Sequence, residues 1–84
     1  MSYSVYILKS EVADRFYIGS GKDEVKRIEI HNSARARWTK RFQPWQIVHI
    51  ERYATRVEAV RRERYLKSLK GIGRHLADIV SGKL

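Results

Sequence analysis

The run Tyr3-Ser4-Val5-Tyr6-Ile7-Leu8-Lys9-Ser10-Glu11-Val12-Ala13-Asp14-Arg15-Phe16-Tyr17-Ile18-Gly19 decides the fold. Tyr3–Leu8 is β-branched and aromatic, the composition of a strand, and Arg15–Gly19 reads as a second strand. The short, mostly polar piece between them suits a hairpin. With the loop at Ser10–Ala13, Lys9 stands opposite Asp14 and Tyr6 opposite Tyr17. Directly opposed residues share one face of a sheet, so the two tyrosines are expected side by side. An odd-length loop would destroy this register.

Ser20-Gly21-Lys22-Asp23 reads as a turn and helix start, with Asp23 or Ser20 as the cap of a helix reaching about Asn32. Val25 and Ile28 would face the core; Arg27 and His31, four apart, would stack one turn above the other. Ser33–Trp45 is the least regular stretch, where Arg35, Arg37, Lys40 and Arg41 interleave with Trp38 and Phe42, and Pro44 argues against helix. Gln46–Tyr53 reads as a third strand, added antiparallel. Thr55-x-x-Glu58 matches a capping box at the head of the main helix. Gly71 and Gly73 break the chain after Lys70, and Arg74–Val80 is a short last helix. These elements predict one domain over residues 1–84, of α/β (α+β) class. Its small three-stranded antiparallel sheet is flanked by helices in the order β-β-α-β-α-α.

Composition narrows the function. The chain of 84 residues carries 18 Lys and Arg against nine Asp and Glu, a net charge of +9. So dense a positive charge calls for an anionic partner, and nucleic acid is the commonest for a small domain. There is no cysteine, which excludes disulfides and thiolate metal sites. No apolar run approaches a membrane span, and the start lacks a secretory pattern, so a soluble, cytoplasmic protein without membrane contact is expected. Arg35, Arg37, Lys40 and Arg41 are the candidates for phosphate contacts. Trp45 is assigned to packing, as large aromatics in a small chain usually are.

One acid breaks the basic pattern. Ala59, Val60, Leu66 and Leu69 mark the apolar side of the main helix, and the spacing of Glu63 puts its carboxylate beside that stripe. A carboxylate so placed needs a cation, a metal or a hydrogen-bond network. Taken singly, Glu63 could be an ion pair with Arg27 or a nearby arginine. Tyr6 and Tyr17 could likewise be a stabilising aromatic pair, and Arg27 and His31 a solvated helix face.

Ser4-Val5-Tyr6, then ten residues, then Tyr17-Ile18-Gly19 resembles the paired signature of the GIY-YIG nuclease superfamily, with Ser4 where the family name has glycine. Residues 23–32 look like the family's first helix, with its arginine and its helix-ending histidine, and residues 58–67 resemble its metal-binding helix. The likeness is closest to small stand-alone members, related to the N-terminal domain of the excision-repair incision nuclease. It implies cleavage of DNA phosphodiesters with one divalent ion, Mg²⁺ or Mn²⁺, held by Glu63 as the sole protein ligand. A tyrosine, Tyr6 or Tyr17, would activate water, Arg27 would stabilise the transition state, and His31 would relay protons or bind phosphate. Lys22 lies near a position where some relatives carry an active-site lysine. The chemistry is coherent without the family: an arginine fork matches two phosphate oxygens, and nearby Arg27, Lys22 and metal are expected to lower a tyrosine's pKa.

An active endonuclease is thus expected, with a non-cleaving nucleic-acid-binding module, or a subunit taking its specificity from a protein partner, as the alternatives. Without a separate recognition domain, binding should rest on phosphates. Plotted as log K against log salt, DNA affinity is expected to fall linearly, with a slope of roughly 0.9 per phosphate contacted and little sequence preference. A flat line in a salt titration would refute the electrostatic account.

Overall fold

A computed structural model of the protein describes residues 2–22, 24–33 and 38–84. Strand β1 (Tyr3–Ser10) is central, with β2 (Phe16–Gly21) on one side and β3 (Trp45–Tyr53) on the other, both antiparallel to it. Helix α1 (Glu24–His31) and a 3-10 turn (Trp38–Phe42) lie between β2 and β3 in sequence, and α2 (Arg56–Ser68) and α3 (Ile72–Val80) follow. The architecture is the expected α+β sheet with helices in the order β-β-α-β-α-α. The 3-10 turn is an addition in the region that showed no regular pattern.

The hairpin register differs from the expected one by two residues. Leu8 stands opposite Tyr17, and Tyr6 opposite Gly19. The cause is Ser10, which is fully buried and belongs to the strand, not the loop. Its hydroxyl accepts from the N–H groups of Val12 and Ala13, both at 3.1 Å, and donates to the Phe42 carbonyl at 2.7 Å. Ser10 N–H also donates to Arg15 C=O at 3.0 Å, so the loop proper is Glu11–Asp14. Because the shift is even, Tyr6 and Tyr17 remain on one face, now as diagonal neighbours.

Strand β1 is buried on both sides, from Ser4 through Leu8. Val5, Ile7 and Ile18 pack with Ala59, Leu66 and Ile79 beneath α2 and α3. Tyr6 and Leu8 pack on the opposite face with Trp45, Tyr17, Ile28, Phe42 and Ile47. A strand covered on both faces needs apolar residues at every position, which is why Val5–Leu8 shows no alternation. Trp45 is 2 % exposed, as its assignment to packing requires.

Helix α1 is placed from its C-terminal end. Asn32 Nδ2 donates to Trp45 C=O at 3.0 Å, and Trp45 N–H donates back to Asn32 Oδ1 at 2.5 Å. Gln43 Nε2 donates to the carbonyls of His31 and Ser33, at 2.8 and 2.6 Å, satisfying groups that a helix end leaves open. The expected cap at Asp23 and the side chain of Val25 lie outside the described residues. At the head of α2, Thr55 Oγ1 accepts from Glu58 N–H at 3.2 Å and donates to Glu58 Oε1 at 2.9 Å, which gives half of the expected capping box. Helix α3 starts at Ile72, before the expected Arg74. Gly71 alone makes the break, at φ 68°, while Gly73 stays helical against Phe16, which a Cβ there would meet at 3.2 Å.

Among the described residues, no helix is long and apolar enough to cross a membrane. Leu66, 0 % exposed, joins α2 to the sheet. Leu66→Ala is expected to cost about 2–5 kcal/mol of stability in urea denaturation, through lost burial and a residual cavity.

Candidate active site

Glu63 projects from α2 toward the edge strand β2. Its side chain is 19 % exposed, and it sits between the buried Ala59 and Leu66 in sequence, at the margin of the apolar stripe as its spacing predicts. Its partners are not arginines. Ser20 Oγ, on β2, donates to Oε1, and Lys67 Nζ lies 2.6 Å from Oε2, one helical turn on. Burial alone would raise the carboxyl's pKa. Lys67, Ser20 and the nearby Arg64 outweigh it and hold Glu63 below the usual carboxylate range. At neutral pH it is an anion.

Tyr6, Tyr17, Arg27 and His31 come together on the other side of β2. Tyr6 is 2 % exposed, and its ring lies over Gly19. A Cβ on Gly19 would come within 2.5 Å of the Tyr6 hydroxyl oxygen and 2.7 Å of its Cζ. Only a hydrogen fits there, so the glycine of Tyr17-Ile18-Gly19 is the floor on which Tyr6 rests. Tyr17 stacks on His31 with ring centroids 4.2 Å apart, tilted by 53°. The Arg27 side chain passes Gly21, where a Cβ would lie 3.5 Å from its Nε. Tyr6 is within electrostatic reach of Tyr17, Arg27 and Glu63 alike, and His31 within that of Arg27. All five residues singled out as catalytic candidates therefore converge on the two faces of one short strand, β2.

Burial dominates the electrostatics of the Tyr6 phenol. Tyr6 is pushed up to about 12, chiefly by burial and then by Tyr17, with Glu63 adding to the rise; Arg27 pulls the other way and does not prevail. In this state the Tyr6 phenol keeps its proton at neutral pH. His31 is lowered by burial first and by Arg27 second, so it is mostly neutral at pH 7 and able to accept a proton.

A divalent ion fits this donor set. Among the described residues, no three His, Cys, Asp or Glu side chains gather, and Glu63 is an ionised carboxylate at an accessible edge. Mg²⁺-like ions accept such sites, because they retain waters and take one or two carboxylates plus substrate oxygens. Lys67 is 53 % exposed, and so open an ion pair contributes only about 0–1 kcal/mol, so a stronger cation displaces it easily.

Sequence reasoning missed Ser20 as a partner of Glu63, and Lys67. The second was readable, since Glu63 and Lys67 are an i,i+4 pair in the favourable order. It also missed a second inward acid. Glu51 on β3 receives a two-pronged bond from Arg62 (2.9 and 3.1 Å), one from Tyr53 Oη (2.6 Å), and has His49 Nε2 at 2.9 Å. Burial works to raise its pKa, but these partners hold it low. Arg62 makes this structural fork, whereas Arg61 and Arg64 are exposed. Of the phosphate-contact candidates, Lys40 and Arg41 are exposed on the 3-10 turn; Lys22, near the position of the relatives' active-site lysine and expected to bind nucleic acid, is exposed and lines a cavity with Arg27. Arg35 and Arg37, with the side chain of Trp38, lie outside the described residues. Phe42 packs into the core beneath the Arg15 guanidinium, 5.3 Å from its ring. Ser4, in the glycine position of the signature, is fully buried and accepts from Arg52 Nη1 at 3.2 Å, so its hydroxyl is satisfied.

The chain is similar to known proteins. The family model described as the GIY-YIG catalytic domain matches residues 2–75. A structure-specific endonuclease subunit SLX1 of Meyerozyma guilliermondii is 40 % identical over 83 residues, covering 89 % of this chain; the chain spans 28 % of that protein's length. A UPF0213 protein of Staphylococcus aureus is 38 % identical over 68 residues, covering 80 % of this chain and 82 % of its own length. The solution NMR structure of a UPF0213 protein from Bacillus halodurans superposes with a TM-score of 0.58 at 31 % identity, covering 99 % of this chain and 86 % of that one.

The close approach of Tyr6 to Gly19 makes a sharp test. Gly19→Ala is expected to displace the Tyr6 ring and to cost about 1–3 kcal/mol in denaturant melts, as overpacking does. Wild-type stability in that variant would show that the ring has room to move.

Proposed function

The chain belongs to the GIY-YIG family of nuclease catalytic domains, and on that premise we propose that it is a metal-dependent endonuclease that hydrolyses DNA phosphodiesters at the β2 site. Nucleases of this family generally use a divalent metal; the ion proposed here is Mg²⁺ or Mn²⁺, held by Glu63. Once bound, it would act as a Lewis acid on the scissile phosphate and lower the pKa of nearby water. The observation that carries the proposal is the convergence of Tyr17, Arg27 and Glu63 within electrostatic reach of Tyr6.

The residues divide the remaining work. Arg27, always charged and forked, binds two non-bridging oxygens and takes up the charge that grows as the phosphorus becomes five-coordinate. Tyr17, half-buried and packed against the ring of a mostly neutral His31, is taken as the base toward water, with His31 as its proton relay. Tyr6, protonated and held over Gly19, is a fixed hydroxyl that orients the water or a phosphate oxygen. The net charge of +9 supports a polyanionic substrate. The name of the Meyerozyma relative, a structure-specific endonuclease subunit, supports a structured DNA as substrate and a protein partner as the source of specificity.

The test is incubation with labelled linear, nicked and branched DNAs, with Mg²⁺, with Mn²⁺ and with chelator. Cleavage is expected only with metal. Glu63→Gln is expected to lower it at least about a hundredfold, a loss of several kcal/mol of transition-state stabilisation, while binding in chelator persists. Binding of every DNA without cleavage by the wild type, unchanged in the variant, would instead identify a non-cleaving module.

A further inference from the structure

A cavity of about 620 Å³ is lined by Ser20, Gly21 and Arg27, which belong to or adjoin the catalytic cluster, and by Tyr3, Lys22 and Arg56. Lys26 and Ile30 of α1 and Ala59 and Val60 of α2 complete its walls. The described lining residues carry four positive charges, on Lys22, Lys26, Arg27 and Arg56, and no negative one. Two of them converge on one ring: Lys22 Nζ and the Arg56 guanidinium carbon each lie 5.8 Å from the Tyr3 centroid. The volume falls within the range of ligand sites, about 300–1,000 Å³.

Arg56 is the informative member, because its position at the start of a helix disfavours a cation. It is the first residue of α2, after the Thr55 cap. The helix dipole makes that end partly positive, so an arginine at this position is repelled and an acid would be favoured. Tyr3 holds the guanidinium by a cation–π contact, in the same ring environment as Lys22. Cations gathered against their mutual repulsion, at a helix N-terminus and around an open cavity, form a receptor for an anion.

Resting on the nuclease reading above, we propose that this cavity is a second phosphate site: Arg56 and Lys22 bind the backbone phosphate next to the scissile one, and the strand leaves the catalytic residues between α1 and α2. Ser20 and Arg27 belong to both the cavity and the catalytic cluster, so the two phosphates would be held by one continuous surface. Arg27 would take the reacting phosphate and Arg56 its neighbour. The second anchor sets which bond along the strand lies over Tyr6 and Tyr17.

The test uses binding, so that it stands apart from cleavage. In a Glu63→Gln background with chelator, affinity for a short DNA is measured at several salt concentrations, with and without Arg56→Ala. Loss of one phosphate contact is expected to lower the slope of log K against log salt by about 0.9. A matched DNA carries one uncharged methylphosphonate on either side of the scissile position. On one of these two DNAs, Arg56→Ala is expected to cost nothing further, because the contact is already lost. An unchanged slope, or costs that simply add on both DNAs, would overturn the proposal. Alanine at a helix start is benign, and circular dichroism of the variant confirms the fold. Metal-dependent cleavage by the wild type, with Arg56→Ala showing no change in slope, would sink this site and leave the nuclease standing. Absence of cleavage with a changed slope would do the reverse.

Discussion

Because β1 is buried on both of its faces, a sheet of only three strands must carry helices above and below, and the catalytic candidates are divided between the two sides. Glu63 comes from α2 on one face, and Arg27 and His31 come from α1 on the other. They meet only because β2 is an edge strand, so groups from both faces can approach around it. Alternation along β2 then distributes the contacts. Ser20 points toward α2 and holds Glu63, while Gly19 and Gly21 leave space on the α1 side for Tyr6 and Arg27.

The charge balance follows from this layout. The Tyr6 phenol is shielded from water and lies near another phenol and a carboxylate, so the resting protein keeps it protonated despite Arg27. Glu63 stays ionised because its partners are a hydroxyl and a lysine on its own side of the sheet. The resting state thus separates an anion and a protonated phenol that a shared proton would otherwise couple. That separation would suit the proposed site, where further positive charge comes with a bound metal ion.

How much of this was legible in the sequence depends on the range of each interaction. Element order was readable because β-branched runs, the Thr55 cap and the spacing of Ala59 and Leu66 are local signals. The face shared by Tyr6 and Tyr17 was readable by parity. Their offset was not, since it depends on Ser10 reaching a carbonyl at Phe42, far along the chain. The cluster of Tyr6, Tyr17, Arg27 and Glu63 was found through a resemblance, not from spacing, because its members lie on four different elements. The rise of the Tyr6 pKa was not readable, as net charge says nothing of how deeply one phenol is buried. Glu51 was overlooked because a strand acid between Ile50 and Arg52 looks solvent-facing until its partners on α2 and β3 are in place.

Arg62 and Glu63 are consecutive on α2, yet they reach opposite margins of the sheet: Arg62 forks onto Glu51 of β3, and Glu63 takes the hydroxyl of Ser20 on β2. Strands β2 and β3 flank β1 from either side and do not pair with each other. Helix α2 therefore lies across the sheet as a crossbeam, pinned at both edges by neighbouring side chains about 100° apart around its axis. Rolling the helix to improve one anchor would pull on the other. The rotational setting of the Glu63 carboxylate is thus shared with an ion pair on the far edge strand.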